Sequence, residues 1–171
     1  QDYTKIQQDI ISFLKNQISQ KKAEGVVFGL SGGIDSATVA YLCGKISETK
    51  EVLALVMPDS VISPSNETGD ALKIIGEIGI NYKLIDINTI HKRYSNYLEP
   101  DQFALGNLRA RIRSNIIYYY ANLKNLLVLG TSDKSEYLIG YFTKFGDGSA
   151  DILPMASLYK TQMRELAKTI G

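Results

Sequence analysis

The sequence predicts an α/β protein built on an open parallel sheet with helices on both faces. Short apolar runs, which suit strands buried on both faces, alternate along the chain with segments of helical periodicity. Strands that alternate with helices in this way are typical of a parallel sheet covered by helices. The length of 171 residues predicts one domain.

Four strands are predicted, at residues 26–30, 52–57, 82–87 and 126–129. The third alternates apolar and polar residues, whereas the other three are continuous apolar runs. Helices are predicted over residues 3–20, 36–47, 66–77, 89–98, 105–123 and 157–170. Asn66 is predicted to cap the third helix, and Gly79 to lie just beyond its end. The segment between residues 131 and 154 has no clear periodicity.

Composition excludes several classes of protein. Nineteen basic residues against eighteen acidic ones give a formal charge of +1, so we expect no nucleic-acid partner and no anionic membrane surface. Cys43 is the sole cysteine and His91 the sole histidine, which excludes an intramolecular disulfide and a histidine-rich zinc site. We expect Cys43 to be buried and His91 to lie on a helix surface. No apolar run reaches the roughly 20 residues of a membrane span, which favours a cytoplasmic protein.

The strongest motif is a loop between the first strand and the second helix. Its residues are Gly29, Leu30, Ser31, Gly32, Gly33, Ile34, Asp35 and Ser36. The two central glycines allow backbone torsions that other residues resist, and they let main-chain N–H groups crowd an anion. The following helix points its positive end at the same place. Asp35 would repel a bare phosphate, so its position suggests a bridging Mg²⁺. Neither the Walker A pattern nor the dinucleotide fingerprint is present.

This S-G-G-x-D-S pattern resembles the PP-loop of the ATP pyrophosphatases, which cleave ATP to AMP and pyrophosphate. Further segments resemble ammonia-dependent NAD synthetase: residues 57–58, 106–113, 128–136, 140–147, 151–154 and 160–161. The resemblance covers essentially the whole chain. It implies a Rossmann-like fold of the adenine nucleotide alpha hydrolase type.

The resemblance also implies a two-step reaction. The nicotinate carboxylate of deamido-NAD attacks the α-phosphate of ATP, which releases pyrophosphate and leaves an acyl-adenylate. Ammonia then attacks the activated carbonyl and gives NAD and AMP. Each step depends mostly on positioning and charge neutralisation, so no protein nucleophile is needed.

The family's functional residues carry over to matching positions of this chain. Loop residues 29–36, Thr131 and Lys160 match ATP-binding positions, with Asp35 and Lys160 in catalytic roles. Asp35 and Glu136 match the Mg²⁺ ligands. Arg111, Lys144 and Asp151 match residues that bind deamido-NAD. By residue type alone, Glu136 and Arg111 also fit a solvated surface, and Lys144 and Asp151 also fit ordinary turns.

The resemblance sets further expectations about organisation and partners. We expect a single domain over residues 1–171 that lacks the family's C-terminal segment, with ATP, deamido-NAD and ammonia as substrates. A chain of 171 residues cannot hold the glutaminase domain of glutamine-dependent relatives, so free or separately supplied ammonia is the expected nitrogen donor. The family is homodimeric with its substrate site at the subunit boundary, so a second copy is the expected partner.

Two alternatives of different kinds stay open. A GMP synthetase-type amination uses similar chemistry, although the segments at 128–136 and 140–147 argue against it. A non-catalytic sensor of adenine nucleotides would need no metal site, so the pair Asp35 and Glu136 argues against that reading. The tRNA-thiolating relatives generally use two cysteines, which this chain does not have.

Overall fold

A computed structural model describes residues 2–170 and confirms the predicted fold class. Its strands are β1 (Gly25–Gly29), β2 (Glu51–Val56), β3 (Asn81–Leu84) and β4 (Leu126–Val128). All pairings are parallel, and the strand order is β3-β2-β1-β4. The predicted domain also includes residues 1 and 171, which lie outside the described residues.

Helices cover the sheet on both faces. They are α1 (Tyr3–Gln20), α2 (Ile34–Gly44), α3 (Ser65–Ile78), α4 (Asn88–Ser95), α5 (Gln102–Lys124), α6 (Lys134–Ile139) and α7 (Lys160–Ile170). Helices α1, α2, α3 and α7 pack together on one face, and α4 packs with α5 on the other. None of the helices within residues 2–170 is long and apolar enough to cross a membrane.

Each face of the sheet has its own apolar core. Alternate residues of β1 serve the two cores: Val26 and Phe28 pack toward α1, α2 and α7, and Val27 packs toward α5. Leu53 and Leu55 of β2 join the α5 side. Burial of one such side chain stabilises a fold by roughly 1.5–3 kcal/mol. Continuous apolar runs therefore mark these strands because both of their faces are covered.

The third strand differs from its prediction. It ends at Leu84 rather than at residue 87, and all four of its residues are exposed. The alternation arises partly beyond the strand, where Ile87 is fully buried and its N–H donates to the carbonyl of Pro58. Because β3 is the edge strand and pairs only with β2, little covers it.

Several local predictions can be compared with the structure. The predicted cap at Asn66 is wrong: α3 begins at Ser65, its N-cap is Pro64, and no side chain caps it. Gly79 lies just beyond the end of α3, as predicted, and it has a left-handed conformation at φ 70°. Cys43 is fully buried as expected, and burial raises the pKa of its thiol. His91 does not lie on the surface, because only 6% of it is exposed.

The strand order creates a cleft at one edge of the sheet. From β1 the chain runs outward through β2 to β3, and it later returns to place β4 on the other side of β1. The segments that follow β1 and β4 therefore diverge. In open parallel sheets, ligands bind at such a switch point, outside the carboxyl ends of the strands.

Candidate nucleotide site

The loop that follows β1 is closed by its own hydroxyl groups. The N–H of Ser31 donates to Ser36 Oγ at 3.2 Å, and Ser36 Oγ in turn donates to the carbonyl of Gly33 at 3.0 Å. The Oγ atoms of Ser31 and Ser36 lie 3.1 Å apart. Gly33 is the N-cap of α2 and offers no side-chain cap. The first turn of α2 therefore has no side-chain cap, which suits the approach of an external anion.

The two loop glycines have different roles. Gly32 has a φ of +90°, whereas Gly33 has a φ of −72° that any residue can adopt. A methyl group on Gly32 would lie 2.4 Å from the carbonyl oxygen of Glu67 in α3. The expectation that two glycines supply unusual torsions is thus met by Gly32 alone, and Gly32 also allows the loop to contact α3.

A cavity of about 400 Å³ opens at the switch point. It is lined by the ends of β1, β2 and β4, by the start of α3, by one face of α5 and by residues 146–149. The predicted ATP-binding residues Ser31, Ser36 and Thr131 are among its walls. Its volume falls within the usual range of small-molecule sites.

Beside the loop, four charged groups converge. The Lys160 ammonium at the start of α7 lies 2.7 Å from Asp35 Oδ2 and 3.0 Å from Glu136 Oε1. Asp133, which precedes α6, places Oδ2 3.2 Å from the same nitrogen. The structure therefore brings together the predicted catalytic pair and the predicted metal pair. Asp133 was not among the predicted residues.

This cluster carries an excess of negative charge. Three carboxylates around one ammonium leave a formal charge of −2 at neutral pH. Burial by itself lowers the pKa of Lys160, but the surrounding carboxylates outweigh burial and raise it above its ordinary value. Asp35 Oδ1 is also buried and accepts no hydrogen bond from any described residue. Within residues 2–170, no three Asp, Glu, His or Cys side chains are arranged to hold a metal ion by themselves.

Two of the three predicted substrate residues meet outside the cavity. Arg111 Nε donates to the carbonyl of Lys144 at 3.1 Å. One helical turn earlier on α5, Asn107 Oδ1 accepts a hydrogen bond from the hydroxyl of Thr143. These contacts attach residues 143–144 to α5. Asp151 lies elsewhere, at β4, where its Oδ2 accepts the N–H of Val128 at 2.8 Å.

A buried ion pair joins α5 to the segment that follows β2, and the sequence analysis missed it. Asp59 has no exposed surface, and its Oδ2 accepts a hydrogen bond from Arg109 Nε at 2.6 Å. Asn88 Nδ2 donates to Oδ1 at 2.9 Å. Burial by itself raises the pKa of Asp59, but Arg109 and the other donors outweigh it and hold the pKa below its usual value.

The neighbouring Arg113 fixes the end of β2. Its Nε donates to the carbonyl of Met57 at 2.8 Å, and burial lowers the pKa of its guanidinium. Arg109 and Arg113 are four residues apart and so lie on one face of α5, toward β2, whereas Arg111 is turned away. That spacing is the signal from which the two residues could have been found.

A model of a known family matches most of the chain. The model is described as NAD synthase, and it matches residues 6–171. The chain belongs to the NAD synthase family. Its membership agrees with the resemblance found in the loop 29–36 and in the downstream segments.

Individual members of the NAD synthase family agree in sequence and in structure. The NH(3)-dependent NAD(+) synthetase of Hyperthermus butylicus is 48% identical over 172 residues, which cover 99% of this chain and 62% of that protein. An NH3-dependent NAD synthetase from Campylobacter jejuni, solved with the nitrate ion, is 41% identical with a TM-score of 0.93. It is matched over 99% of this chain and 74% of its own.

A third relative has a different name. NMN synthetase from Francisella tularensis is 36% identical with a TM-score of 0.94, and the match covers 99% of this chain and 71% of that one. The chain thus spans about 62% of the length of the Hyperthermus butylicus relative and about 71% of the Francisella tularensis structure.

Proposed function

We propose that this chain is an amide-forming ligase that converts deamido-NAD, ATP and ammonia into NAD, AMP and pyrophosphate. The observation that carries the proposal is the convergence of Asp35, Glu136 and Lys160 beside an anion-binding loop and a cavity at the switch point. Binding of a nucleotide alone would not require such a cluster. Family membership supports the same reaction.

The phosphates of ATP would lie against the loop 29–36 and the first turn of α2. Asp35 and Glu136 would hold Mg²⁺, which prefers one or two carboxylates together with phosphate oxygens and water. When bound, the ion would neutralise charge on the phosphates. The residues fit this role because the cluster carries a formal charge of −2 and Asp35 Oδ1 has no hydrogen-bond partner among residues 2–170.

In this reaction the chain positions the substrates and stabilises the charge that develops on them. A nicotinate carboxylate oxygen bonds to the α-phosphorus of ATP, and the bond from that phosphorus to pyrophosphate breaks. Ammonia then bonds to the acyl carbon, AMP leaves with the bonding electrons, and the nitrogen loses a proton. In this scheme the Lys160 ammonium, which lies beside Asp35, would stabilise negative charge that develops on the phosphate oxygens. Thr131, at the cavity wall, contacts the nucleotide in this scheme.

Deamido-NAD would bind next to residues 143–144. Arg111 and Lys144 are both exposed, and Arg111 donates to the main-chain carbonyl of Lys144, so two basic residues lie close together at the surface. This placement suits a dinucleotide with a pyrophosphate group. Asp151 keeps one carboxylate oxygen that Val128 does not use. The roles of these three residues, like the cytoplasmic location, stay predictions.

We also propose a homodimer through the face formed by α4 and α5. Large apolar side chains are exposed there, including Tyr94, Phe103, Tyr119 and Leu123. Exposed apolar side chains of this size favour a contact with a partner. Consecutive tyrosines of α5 face different ways, since Tyr119 is 61% exposed and its neighbour Tyr120 is half-buried.

The dimer predicts a concentration-dependent mass. In light scattering coupled to gel filtration, the unaltered chain should elute with about twice its monomer mass, and Tyr119→Lys should shift it toward the monomer because the new charge would be buried. Lys168→Ala, on an exposed side chain of α7, is the matched control. A monomeric unaltered chain at high protein concentration would reject the dimer.

The test of the reaction follows both products at once. With Mg-ATP, deamido-NAD and ammonium, AMP and NAD should form in equal amounts, and neither should form when deamido-NAD is omitted. Asp35→Asn should lower the rate, since the carboxylate that would hold the cation is gone. An unchanged rate in that variant would remove the metal role of Asp35.

A comparison of deamido-NAD with two other nucleotides tests the proposed substrate. Nicotinate mononucleotide is the first competitor, because a solved relative is named NMN synthetase. Xanthosine monophosphate is the second and represents a GMP synthetase-type amination. We expect tightest binding and fastest turnover with deamido-NAD. A preference for either competitor would overturn the proposed substrate.

A further inference from the structure

The three carboxylates around Lys160 differ in their access to solvent. The side chains of Asp35 and Glu136 are each 24% exposed, whereas that of Asp133 is 0% exposed. A hydrated divalent cation can therefore approach the first two. It cannot reach Asp133 without displacing the lysine or opening the protein. Asp133 thus differs in kind from the two predicted metal ligands.

Asp133 is also held rigidly. Its Oδ1 accepts the N–H of Glu136 at 2.9 Å and caps α6. Its Oδ2 is buried, accepts no hydrogen bond of good geometry from the described residues, and lies 3.2 Å from Lys160 Nζ. A buried carboxylate without a counter-charge is strongly unfavourable. If the Lys160 ammonium moved away, Asp133 would be a buried carboxylate without a counter-charge.

The main chain of Lys160 is fixed to the same segment. Its N–H donates to Ser135 Oγ at 3.1 Å, and the N–H of Lys134 donates to the carbonyl of Leu158 at 2.8 Å. The ammonium can therefore shift among the three carboxylates while its backbone stays in place. A cation that took Asp35 and Glu136 would leave Asp133 as the partner of Lys160.

We infer that Asp133 is a positioning residue, which keeps the Lys160 ammonium beside the phosphate loop when a divalent cation occupies Asp35 and Glu136. The inference rests on the proposed function. It divides three similar carboxylates between two tasks: two hold the cation, and the buried one holds the lysine that faces the nucleotide.

Binding of a nucleotide that cannot be cleaved tests the inference. The probe is α,β-methylene-ATP with Mg²⁺, measured by calorimetry. Asp133→Asn removes the charge but keeps a good N-cap for α6, so thermal unfolding should change little. We expect its affinity for the probe to fall about tenfold or more, as for other directly coupled pairs.

A double-mutant cycle separates positioning from a general charge effect. In a Lys160→Met background, Asp133→Asn should change probe affinity by less than about threefold, because the lysine through which Asp133 acts is missing. An equal loss in both backgrounds would overturn the inference. Failure of the unaltered chain to bind the probe would instead count against the proposed function.

Acetylation of Lys160 tests the inference without a nucleotide. Modification by an acetylating reagent is measured by mass spectrometry with and without Mn²⁺, with the 72% exposed Lys168 as internal reference. Lys160 should stay protected in the unaltered chain under both conditions. In the Asp133→Asn variant, Mn²⁺ should raise the reactivity of Lys160 about tenfold, toward that of Lys168. Equal reactivity of Lys160 in the two proteins would show that Asp133 does not retain it.

Discussion

Replacement of Asp59 by alanine should destabilise the fold by about 3–5 kcal/mol, the usual cost of removing one partner from a buried ion pair. Asp59 is fully buried against Arg109, and its removal would leave the partly buried Arg109 guanidinium without its ion-pair partner and Arg113 without one of the carboxylates that favour its charge. Urea unfolding measures the loss. The midpoint of thermal unfolding should fall by about 6–20 °C for a chain of this size.

Two control variants test whether the loss of stability comes from the buried ion pair. Asp59→Asn still accepts hydrogen bonds at Oδ1 from Asn88 and from the Val61 N–H, so it should cost less than the alanine variant. Glu165→Ala removes an exposed ion pair with Lys168 on α7 and should change stability by less than about 1 kcal/mol. A cost below about 1 kcal/mol for Asp59→Ala would contradict the argument.

The same ion pair predicts a pH dependence. The folded-state pKa of Asp59 lies below its ordinary value of about 3.9. Its contribution to stability is therefore fully present above that pH and is lost as the pH falls through the folded-state pKa. The difference in free energy of unfolding between the unaltered chain and Asp59→Asn should be constant near neutral pH and should shrink in acid.

The sheet could be predicted from the sequence because burial on both faces leaves a strong local pattern. Val27 and Phe28 point to opposite cores, and a strand with such neighbours must be apolar throughout. The edge strand β3 had no such constraint, so its end was placed three residues late. The cap of α3 was also misplaced, because Asn66 already lies within the helix and the N-cap position is taken by Pro64.

Helix α6 was missed for a different reason. Its six residues are too few to show periodicity, and none of them is buried. A signal was present, since Asp133 and Glu136 have the spacing of a capping box, and the Asp133 carboxylate does cap the helix. Recognition of that spacing would also have placed Asp133 beside Glu136 in the candidate site.

The candidate site was predictable where one segment contains it. The loop 29–36 is closed by hydrogen bonds among its own residues, so its pattern is visible in the sequence. The pair Asp59 and Arg109 joins residues 50 positions apart, and only the folded chain brings them together. The meeting of Asp35, Asp133, Glu136 and Lys160 likewise depends on the packing of α7 against α2.

Replacement of Gly32 by alanine should weaken nucleotide binding by about 10- to 100-fold and destabilise the fold. A left-handed torsion costs a residue with a side chain roughly 1–2 kcal/mol. The added methyl would also lie 2.4 Å from the Glu67 carbonyl oxygen, which is main chain and cannot turn aside. Because the adjacent Ala71 is fully buried, α3 resists a shift, and the loop must move instead. Movement of the loop would misplace the N–H groups that, in the proposed function, bind the phosphates.

Gly69→Ala is the matched control for this effect. Gly69 lies in α3, the helix that Gly32 approaches, and a methyl group on Gly69 would have no atom within 4 Å. Alanine favours a helix interior over glycine by up to about 1 kcal/mol, so this variant should be as stable as the unaltered chain or more so. Calorimetry with Mg-α,β-methylene-ATP and thermal unfolding compare the two variants directly. If Gly32→Ala binds the nucleotide as Gly69→Ala does, the loop tolerates a side chain, and its close approach to α3 does not set the geometry of the phosphate site.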